Sequence, residues 1–117
     1  MADFIVKGGK QLSGIVEPQG AKNEALQVIC AALLTDEPVK LLNIPLTRDI
    51  MNLLNLIHDL GIEVAIDRAN NSVTICARNI NLDMLEEEFI KEKQSLLRGS
   101  LMLAGPILTK YKKAIIP

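Results

Sequence analysis

The stretch Thr47-Arg48-Asp49-Ile50-Met51-Asn52-Leu53-Leu54-Asn55-Leu56-Ile57-His58-Asp59-Leu60-Gly61 decides the fold of this chain. Thr47 is a residue type that caps helices, Asp49 complements the dipole in a first turn, and Gly61 suits the left-handed position that ends one. Between these signals Ile50, Leu53, Leu54, Ile57 and Leu60 recur at i, i+3, i+4, i+7 and i+10, which is one face of a helix. His58 lies off that stripe and reads as a solvated helix residue. Such a helix needs a single apolar surface to lie on, and the flanking sequence supplies it.

Residues 39–44, Val39-Lys40-Leu41-Leu42-Asn43-Ile44, read as a short strand bounded by Pro38 and Pro45, neither of which suits a central ladder. After the helix, Ile62 to Ile66 and Ser72 to Cys76 read as two strands joined by Asp67-Arg68-Ala69-Asn70-Asn71, a loop of turn-tolerant residues. Upstream, Asn23 to Leu34 places Leu26, Ile29, Ala32 and Leu33 on one helical stripe. Residues 3–8 and 11–17 read as two further strands, a hairpin about Gly8-Gly9. Downstream, residues 77–83 are irregular. Glu86 to Lys93 is a solvated charged face with Glu87 and Lys91 spaced for an i, i+4 pair. Ser95 is expected to cap a third helix through Leu96, Leu97, Gly99, Leu101 and Ala104 towards Tyr111, kinked or restarted at Pro106. Ala114 to Pro117 reads as the start of another strand. The order strand, strand, helix, strand, helix, strand, strand, helix predicts an α/β fold with helices packed against sheet.

The chain has 117 residues, 49% of them hydrophobic, enough for one domain with a real core. Thirteen basic residues nearly cancel fourteen acidic ones, and the only aromatics are Phe4, Phe89 and Tyr111, which argues against a nucleic-acid binder. The longest apolar runs, Val28 to Leu34 and Leu101 to Leu108, fall far short of the ~18 residues of a membrane span, so no membrane association is expected. The opening Met1-Ala2-Asp3-Phe4 lacks a basic region followed by an apolar one, so the expected location is cytoplasmic. Cys30 and Cys76 sit among apolar neighbours, far apart and away from His58, and read as reduced thiols; no metal site is expected.

Two features point to chemistry. Gly20-Ala21-Lys22-Asn23 places a lysine in the first turn of a helix, where the dipole disfavours a cation by roughly 0.3–1 kcal/mol. A lysine at a helix start is ordinarily solvated. Yet an ammonium and a carboxamide at a helix N-terminus also suit a small, doubly charged anion such as a phosphate joined to a carboxylate. Arg98 is the one charge in an otherwise small and apolar run from Leu96 to Leu108, so it either reaches solvent or meets an anion.

With these pieces placed, the sequence resembles the N-terminal part of the UDP-N-acetylglucosamine 1-carboxyvinyltransferases, a branch of the enolpyruvyl transferase family. The resemblance rests on Gly20-Ala21-Lys22-Asn23 with Ala25-Leu26, on Asn43-Ile44-Pro45 followed by the Asp49 helix ending in Leu60-Gly61, and on Leu97-Arg98-Gly99-Ser100 leading to Ala104-Gly105-Pro106-Ile107-Leu108. It implies an inside-out α/β barrel of two similar domains built from βαβαββ units, with substrates in the cleft between them. Residues 1–19 would belong with the second domain, and residues 20–117 would be an incomplete first domain. The implied reaction moves the enolpyruvyl group of phosphoenolpyruvate to the 3′-hydroxyl of UDP-N-acetylglucosamine with release of phosphate, the first committed step of peptidoglycan synthesis. It uses no metal or organic cofactor.

By motif match, Lys22 and Asn23 would contact phosphoenolpyruvate and Arg98 the UDP-sugar. The acid of the family sits on a Pro-Gly-Gly-Cys loop, with aspartate in some members, and Pro117 matches its first residue. The acid is therefore expected after Pro117, none of the catalytic residues within this chain, and the remainder of an enzyme chain as its partner. Cys30 and Cys76 do not match that loop. Ser95 stands where some relatives carry a base, which leaves open how many cations face the nucleotide-sugar. Two alternatives remain: the related 5-enolpyruvylshikimate-3-phosphate synthases, which typically follow the lysine with serine where this chain has Asn23, and a non-catalytic, truncated α/β module.

Overall fold

The computed structural model describes residues 2–96 and 98–116, the side chains of Phe89, Gln94, Leu96, Arg98 and Ser100 excepted. Helix α1 (Lys22–Ala31) runs into a 3₁₀ turn, Ala32–Leu34, and strand β1 (Val39–Leu41) follows. Helix α2 (Arg48–Asp59), strands β2 (Glu63–Asp67) and β3 (Ser72–Cys76), a 3₁₀ segment Leu82–Glu86 and helix α3 (Glu88–Leu96) come next. A 3₁₀ segment Arg98–Leu103 and helix α4 (Ala104–Tyr111) complete the order.

The sheet order is β1-β3-β2, with β3 antiparallel to both neighbours, so β1 and β2 run parallel to each other with the hairpin's return strand between them. Register sorts the side chains by face. Val39, Ile75 and Val64 align across one row and Leu41, Val73 and Ile66 across another, and all six face the core. Lys40, Thr74 and Ala65 align on the opposite face. The strand period of two therefore gives the sheet one apolar side, on which the helices lie. The five residues expected on one stripe, Leu60 at the C-cap of α2 included, are all buried, and Leu56 is buried with them. The apolar face is wider than the stripe because α2 touches α1 and α3 as well as β2.

Particular residues end these elements. Gly61 follows α2 with φ +88°, the left-handed conformation expected of it. β1 is shorter than its expected span: the backbone turns left-handed at Asn43 (φ 53°), and Ile44 N–H then donates to the Asn71 carbonyl at 2.8 Å. In the β2–β3 loop the Asp67 carboxylate accepts from the backbone N–H groups of Ala69 and Asn70 and from the Asn70 side chain. The Asn70 bonds hold the Asp67 carboxyl below its ordinary range.

Four expectations need correction. Residues 3–8 and 11–17 form no strand ladder, and Phe4, Ile5, Val6, Leu12, Ile15 and Val16 are 86–95% exposed. A two-stranded hairpin is marginal in water unless a third strand or a helix covers its apolar face, and no described residue does so here. Ser95 caps nothing: it lies inside α3, where its hydroxyl donates to the Glu92 carbonyl at 2.7 Å. The single third helix is instead α3, a 3₁₀ segment and α4. Pro106 occupies the first turn of α4, where a backbone N–H would have no helical partner, so a fresh helix accommodates it and a continuous one would not. In the charged run, Lys91 pairs with Glu88 at 3.9 Å rather than with Glu87, which precedes the helix.

Helix α4 is tied to the far edge of the core through Lys110. Its ammonium pairs with Asp36 and donates to the Ala77 carbonyl at 2.8 Å. Partial burial works against that charge, but Asp36 and the neighbouring Tyr111 outweigh it and hold Lys110 above the ordinary lysine range.

Candidate functional site

Two helix N-termini, those of α1 and α2, meet at the candidate site. Lys22 and Asn23 are the first two residues of α1 and both are exposed. Ala21 at the N-cap has no side-chain acceptor, and the Thr47 hydroxyl, at the N-cap of α2, makes no capping hydrogen bond although threonine is suited to one. The first-turn N–H groups of both helices therefore lack the side-chain caps that usually satisfy them. The Lys22 ammonium donates to the Asp49 carboxylate in the first turn of α2 at 2.8 Å, an ion pair whose side chains are 47% and 51% exposed.

What brings the helices together is a contact between backbones. A Cβ placed on Gly20 would lie 1.9 Å from the Asn43 carbonyl oxygen and 3.0 Å from the Pro45 ring. No residue larger than glycine fits between the start of α1 and the Asn43-Ile44-Pro45 turn unless the backbone moves. Two open hollows flank this contact. One, of about 270 Å³, lies between α1 and the end of β1; the other, of about 300 Å³, is bounded by Gln19, Gly20, the 43–47 turn and Asn71. Lys22 and Asn23 line neither, and stand at the helix tip beside them.

Arg98 begins the 3₁₀ segment that packs against α1, α2 and α3, but its side chain is outside the described set. The expectation that it meets a nucleotide-sugar therefore lies outside the described residues, as does the expectation attached to Pro117. Cys30 is buried about two turns along α1, and burial pushes its thiol up to about 11. Cys76 is half-buried on β3 and free. Sequence reasoning missed the pairing of Asp49 with Lys22, having read Asp49 only as a dipole complement; no local pattern joins positions 27 apart.

The EPSP synthase (3-phosphoshikimate 1-carboxyvinyltransferase) family model matches residues 6–109. The chain belongs to that family. Among curated relatives it is 47% identical over 116 residues to a UDP-N-acetylglucosamine 1-carboxyvinyltransferase of Bacteroides fragilis, covering 99% of this chain and 26% of that protein. It is 43% identical over 117 residues to the protein of that name in Porphyromonas gingivalis, covering 100% and 27% respectively. The chain thus spans about a quarter of the length of these relatives. Among solved structures it resembles the enolpyruvyl transferase NikO from Streptomyces tendae, with a TM-score of 0.72 and 24% identity over 89% of this chain and 23% of that one. The likeness establishes the α/β fold expected from the sequence.

Proposed function

We propose that this chain is part of a cytoplasmic UDP-N-acetylglucosamine 1-carboxyvinyltransferase and supplies anion contacts to its substrates. The observation that carries this reading is the 43–47% identity to relatives of that name over essentially the whole chain. The open N-terminus of α1 with Lys22 and Asn23 on its first turn supports it. Residues 1–19 would pack with a second domain and residues 20–117 would form part of the first.

Phosphoenolpyruvate carries a carboxylate and a phosphate. Addition of the sugar 3′-hydroxyl to C2, with the hydroxyl proton lost to a base and a proton gained at the methylene carbon, gives a tetrahedral intermediate; loss of a proton from the resulting methyl group as the C2–O bond to phosphate breaks then restores the double bond and releases the leaving anion. The Lys22 ammonium and Asn23 carboxamide, with the uncapped N–H groups of α1, would hold these anions while charge moves onto the departing phosphate. Arg98 would hold the nucleotide-sugar by its planar, bidentate fork. Cys30 does not serve as the acid that protonates the methylene carbon, because its thiol is buried in the core.

A chimera tests the reading: this chain replaces the matching 116 residues of the Bacteroides fragilis relative. The chimera is expected to release phosphate from phosphoenolpyruvate with UDP-N-acetylglucosamine and not with shikimate 3-phosphate. Lys22→Ala should remove a charge-assisted contact of about 1.5–3 kcal/mol, lowering kcat/KM roughly 10–150-fold with little change in Tm. Arg98→Lys should raise KM for the nucleotide-sugar alone. A folded chimera that is silent, or that prefers shikimate 3-phosphate, overturns the proposal. The isolated chain, a quarter of its relatives' length, is expected to show no turnover above the uncatalysed control.

A further inference from the structure

The ammonium that the proposed reaction assigns to a substrate anion is already engaged. Lys22 Nζ donates to the Asp49 carboxylate at 2.8 Å, and the two residues belong to different helices 27 positions apart. Dipole complementation explains an acidic residue in the first turn of α2, but it does not require that residue to meet a lysine on α1. A half-exposed pair of this kind contributes little to folding. Its consequence is for binding.

We propose that Asp49 is a specificity-determining residue, the resident counter-ion of Lys22, which admits ligands that carry a doubly charged phosphate to this site and turns away those whose only anion is a singly charged carboxylate. The inference rests on the reading of Lys22 as an anion contact. A free monocarboxylate offers Lys22 the same chemistry as Asp49, and Asp49 is tethered beside it at high effective concentration, so the free ion loses the competition. A phosphate dianion brings twice the charge and about twice the Coulomb attraction, and an ammonium has three donors to share between it and the carboxylate. Asp49 also repels any anion held by Lys22. Removing its charge while keeping its shape therefore tightens phosphate binding and, by freeing Lys22 for a monocarboxylate, narrows the discrimination.

The test uses the 117-residue chain itself, with inorganic phosphate and acetate as probes at matched, low ionic strength and mildly alkaline pH, read by the backbone amide resonances of Lys22 and Asn23. In the unaltered chain phosphate is expected to move these resonances and acetate to leave them in place. Asp49→Asn should tighten phosphate about 3- to 10-fold and render acetate effective, whereas Asp49→Glu should retain the discrimination. Lys22→Ala should silence both probes. A Lys22-dependent phosphate response that Asp49→Asn weakens or leaves unchanged overturns the role of Asp49 alone. No response in any variant, with the amide spectrum still dispersed, overturns the Lys22 reading as well.

Discussion

Residues 3–17 and the β2–β3 hairpin carry the same kind of message in sequence and end in different states. Both are short runs rich in β-branched and apolar residues about a turn signal. In β3, Val73 and Ile75 lie in the core cluster and are buried, whereas Val6, Ile15 and Val16 stand in solvent with no ladder between them. A strand pattern states which face should be covered. It does not supply the cover, and a strand persists only when another element removes that face from water. The family match begins at residue 6, so most of this segment lies within the matched span.

The sharpest way to break the comparison is to truncate one apolar side chain in each region. Leu54→Ala removes a fully buried side chain of α2 and should cost about 2–5 kcal/mol in urea unfolding of the chain, enough to leave a small domain largely unfolded. Val6→Ala should change stability by no more than about 0.5 kcal/mol, because it removes nothing from the core. Equal losses would show that residues 3–17 pack on the body in solution.

A second contrast lies between the two thiols. Cys30 is buried and its pKa is raised from 9.0 to about 11, so the folded state keeps the proton that the unfolded state gives up. Its stabilising contribution is complete below pH 9 and is lost as pH rises towards 11, a decline of about 2–3 kcal/mol across that window. Urea midpoints measured through this range should fall in the unaltered chain and fall less in Cys30→Ala. At neutral pH a maleimide should label half-buried Cys76 well before Cys30; the reverse order would place Cys30 outside the core.

What was legible in the sequence was what local chemistry decides. The α2 stripe, its stop at Gly61, the β2 and β3 spans and the turn at Asp67 follow from period and turn residues, and each is found close to where it was expected. What was not legible depends on residues distant in the chain. The insertion of β3 between β1 and β2, the absence of a ladder in residues 3–17 and the pairing of Lys22 with Asp49 are set by which surfaces meet. Ser95 illustrates the same limit at short range: a serine suited to cap one helix is equally suited to bond the carbonyl three residues back in another. For the candidate site, Lys22 and Asn23 were conspicuous because a cation at a helix start contradicts the dipole, while Asp49 agreed with its own helix and so gave no sign of a distant partner.

A last stability effect is expected at the boundary between the two regions, at Gly20. This residue separates the exposed N-terminal segment from α1, and a Cβ there would fall 1.9 Å from the Asn43 carbonyl oxygen. That neighbour is backbone, so relief comes only by moving the start of α1 or the 43–45 turn, for which overpacking costs of about 1–3 kcal/mol are typical. Gly20→Ala should lower the urea midpoint by that amount and shift the amide resonances of Asn43 and Ile44. It should also disturb the approach of Lys22 to Asp49, because that ion pair and this backbone contact join the same two helix starts. Ala21→Gly, one residue on, exposed and at the N-cap where glycine is preferred to alanine, is the control, with no loss of stability expected. If Gly20→Ala leaves both stability and the Asn43 and Ile44 resonances unchanged, the two helix starts are not held together by this contact, and the division between an uncovered segment and a packed body must lie elsewhere in the chain.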